Sequence, residues 1–382
     1  MATSYSPNTA TDGLVFYYDT FNTLKSYKGR PTTNYGPASF GDWGTENTAE
    51  RISTGNTYKG QPTYNCRTTL GASWQGIDNT IAGLRTAAGA SGTVTMSCMV
   101  RNNNPTAYPM YAYIGHDFSS TRTIAANSGW QKVQWTVNQS SMNNDYVEFR
   151  PYTNNASIYL EMTMPMVEVN VTYASQFVEG TRSATEGLVD LMGNSTIDLT
   201  NVSFDSNAQM TFDGSDDRAI LGTVPLAAGA STYTIEAVFK ADSTKTQVIW
   251  EQNSSEVVQH QRACMILLSN GYGGFNGQAN DYHSAIPYST GVWYHWIITI
   301  DKNASTNPIK IYVNGDLYAQ GNSSSGASNL NVGTHGAAVG YKLNSNNEYF
   351  DGNIKLVKVY NRVLTASEAK SNFNAIKGRY GL

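Results

Sequence analysis

Apolar residues recur at every second position in short runs, and turn residues separate the runs. Between residues 34 and 175 the clearest are TVTMSCMV (93–100), YPMYAYIG (108–115), WQKVQWTV (130–137), YVEFRPY (146–152) and SIYLEMTMPMVEV (157–169). In WQKVQWTV, Trp130, Val133 and Trp135 are apolar while Gln131, Lys132 and Gln134 are polar. Short alternating runs with turns between them predict antiparallel strands of a sandwich. The pattern resumes after a polar, turn-rich stretch over 176–210. STYTIEAVFKA (231–241), GVWYHWIITID (291–301), KIYVNGDLYAQG (310–321) and NIKLVKVYNRVL (353–364) are strand runs, and Asn314-Gly315 predicts a tight hairpin. At LTASEAKSNFNAIKGRYGL the period changes to that of a helix. Thr365 as N-cap and Glu368 three residues on form a capping box, Ala369, Phe373 and Ile376 share a stripe, and Gly378 is the expected stop.

One motif occurs twice. TDGLVFYYDT (11–20) alternates as a strand, with Leu14, Phe16 and Tyr18 on one face and Val15 and Tyr17 on the other. TEGLVDLMGN (185–194) repeats the opening and then turns polar.

Composition narrows the function. Only 14% of residues are charged and the net charge is −4, so no basic stripe exists to neutralise phosphates and nucleic-acid binding is not expected. Twelve per cent of residues are aromatic, 25 of them Tyr, which suits an all-β protein with aromatic faces. Three cysteines (Cys66, Cys98, Cys264) without C-x-x-C spacing argue against a disulfide framework or a zinc site, and Cys98 reads as a buried thiol. MATSYSPNTA has neither a basic nor an apolar region of a signal peptide, and no apolar run approaches a bilayer span. Synthesis in a cytoplasm without membrane insertion is the expectation.

GLVFYYD, MTFDGSDD, STYTIEAVFK, GVWYHWIITID, IYVNGDL and the tail from YFDGNIKLVKVYNRVL onward together resemble the concanavalin A-like, laminin-G-like jelly rolls of bacteriophage virion proteins. The Asn-Arg-x-Leu-Thr piece before the helix looks particularly like phage members. The resemblance covers 11–30 and about 180–382. It implies an all-β chain of two antiparallel sandwiches, one inserted into the other, closed by a short C-terminal helix. The expected parts are an N-terminal arm (1–10), a jelly roll built from 11–30 plus 180–382, and an inserted sandwich (34–175). On its Trp130 entry strand and its closing YLEMTMPMVE, the insert resembles carbohydrate-binding modules of glycoside hydrolases.

Concanavalin A-like folds include glucanases, which need two carboxylates about 5–5.5 Å apart for retention and somewhat more for inversion. No E-x-D-x-E run occurs. Glu236 is alone on its strand, and Glu161 and Glu168, seven residues apart, are expected on opposite faces of theirs. Enzymatic activity is therefore not expected. Among the histidines, His295 reads as a satisfied strand residue and His283 as the one to watch. The resemblance admits calcium as a cofactor, with Asp213, Asp216 and Asp217 as candidate ligands; a hairpin turn is the alternative reading of the same residues. For a glycan, the glycine-rich stretch 269–291 reads as an irregular exposed loop whose Tyr272, Phe275, Asn276, Asp281, Tyr282 and His283 combine stacking rings with polar contacts; a long ornamental or contact loop is the alternative reading of the same residues.

The resemblance implies a non-enzymatic structural protein on a virion surface, a capsid decoration or head-fibre knob touching other virion proteins as a homo-oligomer. The alternatives are a tail-fibre or baseplate adhesin for a host-surface glycan and, more distantly, a glycoside hydrolase.

Overall fold

The computed structural model describes residues 9–47, 49–68, 76–115, 117–153, 155–253, 259–324, 330–343 and 348–382; the first eight positions of the expected N-terminal arm lie outside these. All named strand pairings are antiparallel, so the all-β reading holds, and the chain divides into two compact units. One comprises the chain up to Pro31, Ser183–Asp205 and Gln209–Leu382; the other is Thr32–Arg182 with Ser206–Ala208.

In the first unit, Phe16 and Tyr18 turn inward from the Leu14–Asp19 strand, as their alternation predicts. A bulge between Leu14 and Phe16 puts Leu14, expected on the same face, on the outer face with Tyr360, Leu364 and Ala369. That strand lies beside Asp351–Tyr360, with Phe16 opposite Val359. They belong to an eight-stranded sheet that continues through Thr232–Ala241, Trp293–Asp301, Ile309–Val313 and the edge strand Asp316–Gly321. Asn314 (φ 51°) and Gly315 (φ 82°) make the hairpin turn expected of them. The facing sheet has seven strands in the order Ile197–Asn201, Arg218–Leu221, Gly336–Val339, Gln247–Asn253, Arg262–Leu267, Tyr272–Asn276 and Tyr282–Pro287. Between the sheets lies one apolar core that includes Phe16, Phe239, Trp250, Phe275 and Trp296. The second G-L-V copy is not a strand. Leu188 makes a single bridge to Tyr27, and Asp190 accepts backbone N–H bonds from Met192, Asn194 and Ser195.

The terminal helix, Ala366–Tyr380, has both arms of the Thr365–Glu368 capping box. It runs through Gly378 and stops at Gly381, whose φ of 70° is the left-handed cap that glycine favours.

The second unit is also a sandwich. One sheet runs Ser128–Asn138, Thr93–Asn102, Leu160–Val169, Gln61–Arg67, Glu50–Tyr58. The other runs Ile77–Thr80, Tyr146–Pro151, Tyr108–Ile114, with Asp117–Phe118 and Arg122–Ile124 both pairing to the last. Trp135, Phe149, Phe40 and Cys98 are in its core, and all three cysteines are buried free thiols. One parity expectation is corrected here. Glu161 pairs with Arg101 and Glu168 with Thr95, which puts both glutamates on the same outer face. A bulge at Thr163/Met166, with Met164 at φ 55°, inserts the extra residue that reverses the alternation.

Candidate functional site

Carboxylates come first, because an enzyme of this fold would need two. Glu236 is fully buried on the outer face of the eight-stranded sheet. It accepts from Lys358 Nζ (3.0 Å), His295 Nε2 (3.1 Å), Tyr360 Oη (3.2 Å) and Asn372 Nδ2 (2.6 Å). Asn372 comes from the terminal helix, so the network fastens that helix to the sheet. His295 is the buried strand residue expected, its ring stacked on Phe373 and its Nε2 bound to Glu236, but it is only half satisfied, because its Nδ1 has no partner.

Asp213, Asp216 and Asp217 are brought together, their nearest oxygens within 4.8 Å of one another. Two of them are already engaged within the turn: Asp213 Oδ1 accepts from Ser215 N–H, and Asp217 accepts from Asp213 N–H (2.7 Å) and Ser203 Oγ (3.1 Å). Burial raises the Asp217 carboxyl, and the Lys245 ammonium binds the Gly214 carbonyl. These are the contacts of an aspartate-capped turn.

The glycine-rich stretch 269–291 is corrected from a loop to a hairpin: Tyr272–Asn276 pairs with Tyr282–Pro287. Phe275 lies wholly in the core and offers no face to a ligand. The Tyr282 ring packs on that core while its hydroxyl donates to the Gln320 carbonyl (2.8 Å). Tyr272 is exposed, but stands at the opposite end of its strand from Asn276, about 13 Å away by strand rise. Asn276, Asp281 and His283 remain together near one end of the seven-stranded sheet, with His283 Nε2 3.5 Å from Asp281. Burial alone would raise Asp281, but its bonds to His283 and to the Gly277 N–H outweigh it and hold the carboxyl below its ordinary value.

The register of this sheet brings in residues that sequence reasoning missed. Ala338, Glu251, Cys264 and Asn276 form one cross-strand row, and Gly336, Asn253 and Arg262 form the next. Their neighbours Trp250, Ala263, Met265 and Phe275 face the core, so these rows lie on the opposite face. Arg262 Nε is 2.6 Å from Glu251 Oε1, and its Nη1 donates to Asn276 Oδ1 (3.2 Å). Asn253 Nδ2 and the Leu343 N–H also donate to Glu251. Burial pushes the Glu251 carboxyl up, against the opposing pull of Arg262. The only sequence signal was Glu251-Gln-Asn, three consecutive polar residues closing an apolar strand run.

Unpaired polar atoms gather at the same end of the sheet. Asn280 is fully buried, yet neither its Oδ1 nor its Nδ2 has a partner; Asn253 Oδ1 and His260 Nδ1 are likewise unpaired. His260 (φ 66°), Gln278 (φ 57°) and Ala279 (φ 65°) have left-handed backbone conformations without being glycine. A buried amide without partners costs about 1–3 kcal/mol. Backbone strain of this kind concentrates where a ligand is held.

Residues 213–370 match the family model of the concanavalin A-like lectin/glucanases superfamily. No curated protein sequence matches the chain. Among solved structures, a native heptameric SAP-like pentraxin from Limulus polyphemus is 16% identical (TM-score 0.34), over 42% of this chain and 78% of that one. A CBM40 module of a Ruminococcus gnavus sialidase bound to α2,3-sialyllactose is 18% identical (TM-score 0.31), over 39% and 95%. Domain 4 of an extracellular arabinanase from Geobacillus stearothermophilus, in complex with arabinotriose, is 14% identical (TM-score 0.34), over 50% and 92%. Likenesses this partial say nothing of what this chain binds. The family match is the firmer finding: over residues 213–370 the chain carries a concanavalin A-like lectin/glucanase domain.

Proposed function

We propose that the protein is a non-enzymatic glycan-binding protein, with its site at the end of the seven-stranded sheet around Arg262, Asn276, Asn280 and Asp281. The observation that carries this reading is Asn280, a fully buried amide with four hydrogen-bonding positions unused, in the turn that follows Asn276, whose Oδ1 accepts from the Glu251-paired Arg262. Asn276 and Asp281 on either side of it in the chain are partly exposed, and a hydroxyl-rich ligand docked on them supplies both donors and acceptors to the amide once the 277–281 turn shifts to uncover it. Non-catalysis is supported by the state of the carboxylates. Glu251 is tied by Arg262, Asn253 and a backbone N–H, and Glu236 is sealed beneath the terminal helix. On this reading the protein is carried on a virion as a homo-oligomer, in contact with other virion proteins, and the glycan is one on a host surface; the phage-like tail sequence favours that setting.

Asn280 makes the reading testable, because a site residue left unpaired lowers stability in the free protein. Asn280→Leu is expected to raise the Tm by a few degrees and to abolish binding to the uronate-free glycans of an array. Unchanged glycan binding by the variant would overturn the site. Reducing ends released from a polysaccharide panel by the parent protein would overturn the non-enzymatic half.

A further inference from the structure

The inserted unit has a cleft of its own, of about 400 Å³, lined by Ser119, Ser120, Arg122, Trp135, Asn138 and Ser141, with Thr136 and Val137. Its position follows from the topology. Ser128–Asn138 is the edge strand of one sheet, and Arg122–Ile124 pairs at the margin of the other, so the cleft opens where the sandwich is not closed by strand pairing.

Its residues are held firmly. The Trp135 ring is buried, and its indole N–H donates to the Ser120 carbonyl (2.7 Å), which pins the 119–122 segment to the edge strand. Arg122 Nε donates to the Gln134 carbonyl (3.1 Å) and Nη1 to Ser120 Oγ (3.0 Å). The guanidinium is thus fixed through two nitrogens while Nη2 stays unengaged, and among the described residues no carboxylate lies within ion-pair distance of it. Ser141 Oγ donates to the Asn138 carbonyl (2.8 Å), so its lone pairs stay available as acceptors.

We infer that this cleft is a second binding site, independent of the one on the seven-stranded sheet, and that its ligand is a sugar carrying a carboxylate, of the hexuronic acid type. Three features select that chemistry. The volume lies within the range of small-ligand pockets, roughly 300–1,000 Å³. A preorganised guanidinium facing no acid is suited to a carboxylate, which it can meet with two parallel N–H bonds. The remaining lining is hydroxyl and amide, the partners of a polyol, and the buried Trp135 presents no ring face on which a neutral sugar would stack.

The test is calorimetric titration of the full chain with D-glucuronate, D-glucose and inorganic sulfate, on the parent protein and on Arg122→Gln, Asn138→Ala and Asn280→Leu. Glucuronate is expected to bind at least about tenfold more tightly than glucose. Arg122→Gln should weaken glucuronate by about tenfold or more, and Asn138→Ala by a smaller factor, with no effect on glucose. Asn280→Leu should leave glucuronate binding unchanged, which separates this site from the proposed one. Parent-like glucuronate binding by folded Arg122→Gln would overturn the inference, as would equal affinity for glucose. Sulfate binding as tightly as glucuronate would reduce the cleft to a general anion site and overturn the sugar assignment. If Arg122→Gln does not fold, the exposed Asn138→Ala decides: unchanged glucuronate affinity there counts against the site.

Discussion

Four side chains converge on the Glu236 carboxylate, and its energetics follow from what surrounds it. Burial alone would raise its pKa, but the Lys358 charge and the hydrogen bonds from His295 and Lys358 outweigh it, lowering the value from 4.5 to about 2. A carboxyl depressed in the folded state contributes stability that is complete above the unfolded value. That contribution is lost as pH falls from about 4.5 towards about 2, and the difference is worth about 3 kcal/mol. Glu236→Gln removes the charge and leaves Lys358 buried without its counterion, at a cost of about 3–5 kcal/mol near neutrality. Below about pH 4.5 the unfolded chain takes up a proton at this position while the folded parent stays largely ionised until about pH 2, so the parent's advantage over the variant shrinks. Urea unfolding of both proteins at pH 7 and pH 3 should therefore give a wide gap in midpoint at pH 7 and a markedly smaller one at pH 3. A gap that stays constant with pH would mean that the network acts by shape and not by charge.

Two glycines with the same backbone show how an element's surroundings decide the effect of one methyl group. Gly315 and Gly271 both close hairpins at φ +82°, yet a Cβ at Gly271 would meet nothing within 4 Å, whereas one at Gly315 would come 2.8 Å from Cβ of Phe373 on the terminal helix. Gly271→Ala should cost about 1–2 kcal/mol for the left-handed conformation alone, and Gly315→Ala about 1–3 kcal/mol more for overpacking. Equal losses in chemical denaturation would mean that the helix yields without strain. The same contrast explains which elements could be read from the sequence. Thr232–Ala241, the Asn314-Gly315 hairpin and the capping box at Thr365 are each written in one period or one local motif, so they were legible. The hairpin at 272–287 was not, because its glycines looked like looseness. In fact a Cβ on Gly273 would lie 2.6 Å from the Ile266 carbonyl, and one on Gly274 would lie 2.5 Å from that of Tyr282, so these glycines permit close strand approach. The bulge at Met164 escaped for a related reason: one left-handed residue reverses a parity that counting assumes is constant. Asn276, Asp281 and His283 stood out as polar residues among turns. Arg262, Glu251 and Asn253 sit within buried strand runs, and only the register between strands puts them in one cluster.

At the scale of the whole chain, the division into units rests on how each treats its own ends. In the first unit, Lys28 and Gly29 N–H both donate to the Gly187 carbonyl (2.9 and 3.2 Å), and Tyr27 bridges Leu188, so the exit before Thr32 lies beside the re-entry after Arg182. In the second, Thr32–Thr33 pairs with Thr181–Arg182, so its first and last strands are neighbours. Adjacent ends make an insertion cheap. The host closes a gap of a few residues whether the intervening segment is short or long, and each doubling of a flexible loop adds only about 0.6 kcal/mol. The apolar cores are likewise separate sets: Phe16, Trp250 and Phe239 belong to one, and Trp135, Phe149 and Phe40 to the other. Replacing Thr32–Arg182 by a linker of about four Gly and Ser residues should therefore leave a soluble chain that unfolds cooperatively. It should keep the near-ultraviolet circular dichroism of packed Trp250 and Trp296 and the protection of amide hydrogens along Thr232–Ala241 and Asp351–Tyr360. By the assignment of the two sites, it should also keep glycan binding that depends on Asn280 and lose glucuronate binding that depends on Arg122. A shortened chain that aggregates, or that shows no protected amides in those two central strands, would mean that the first unit depends on the inserted one for its fold.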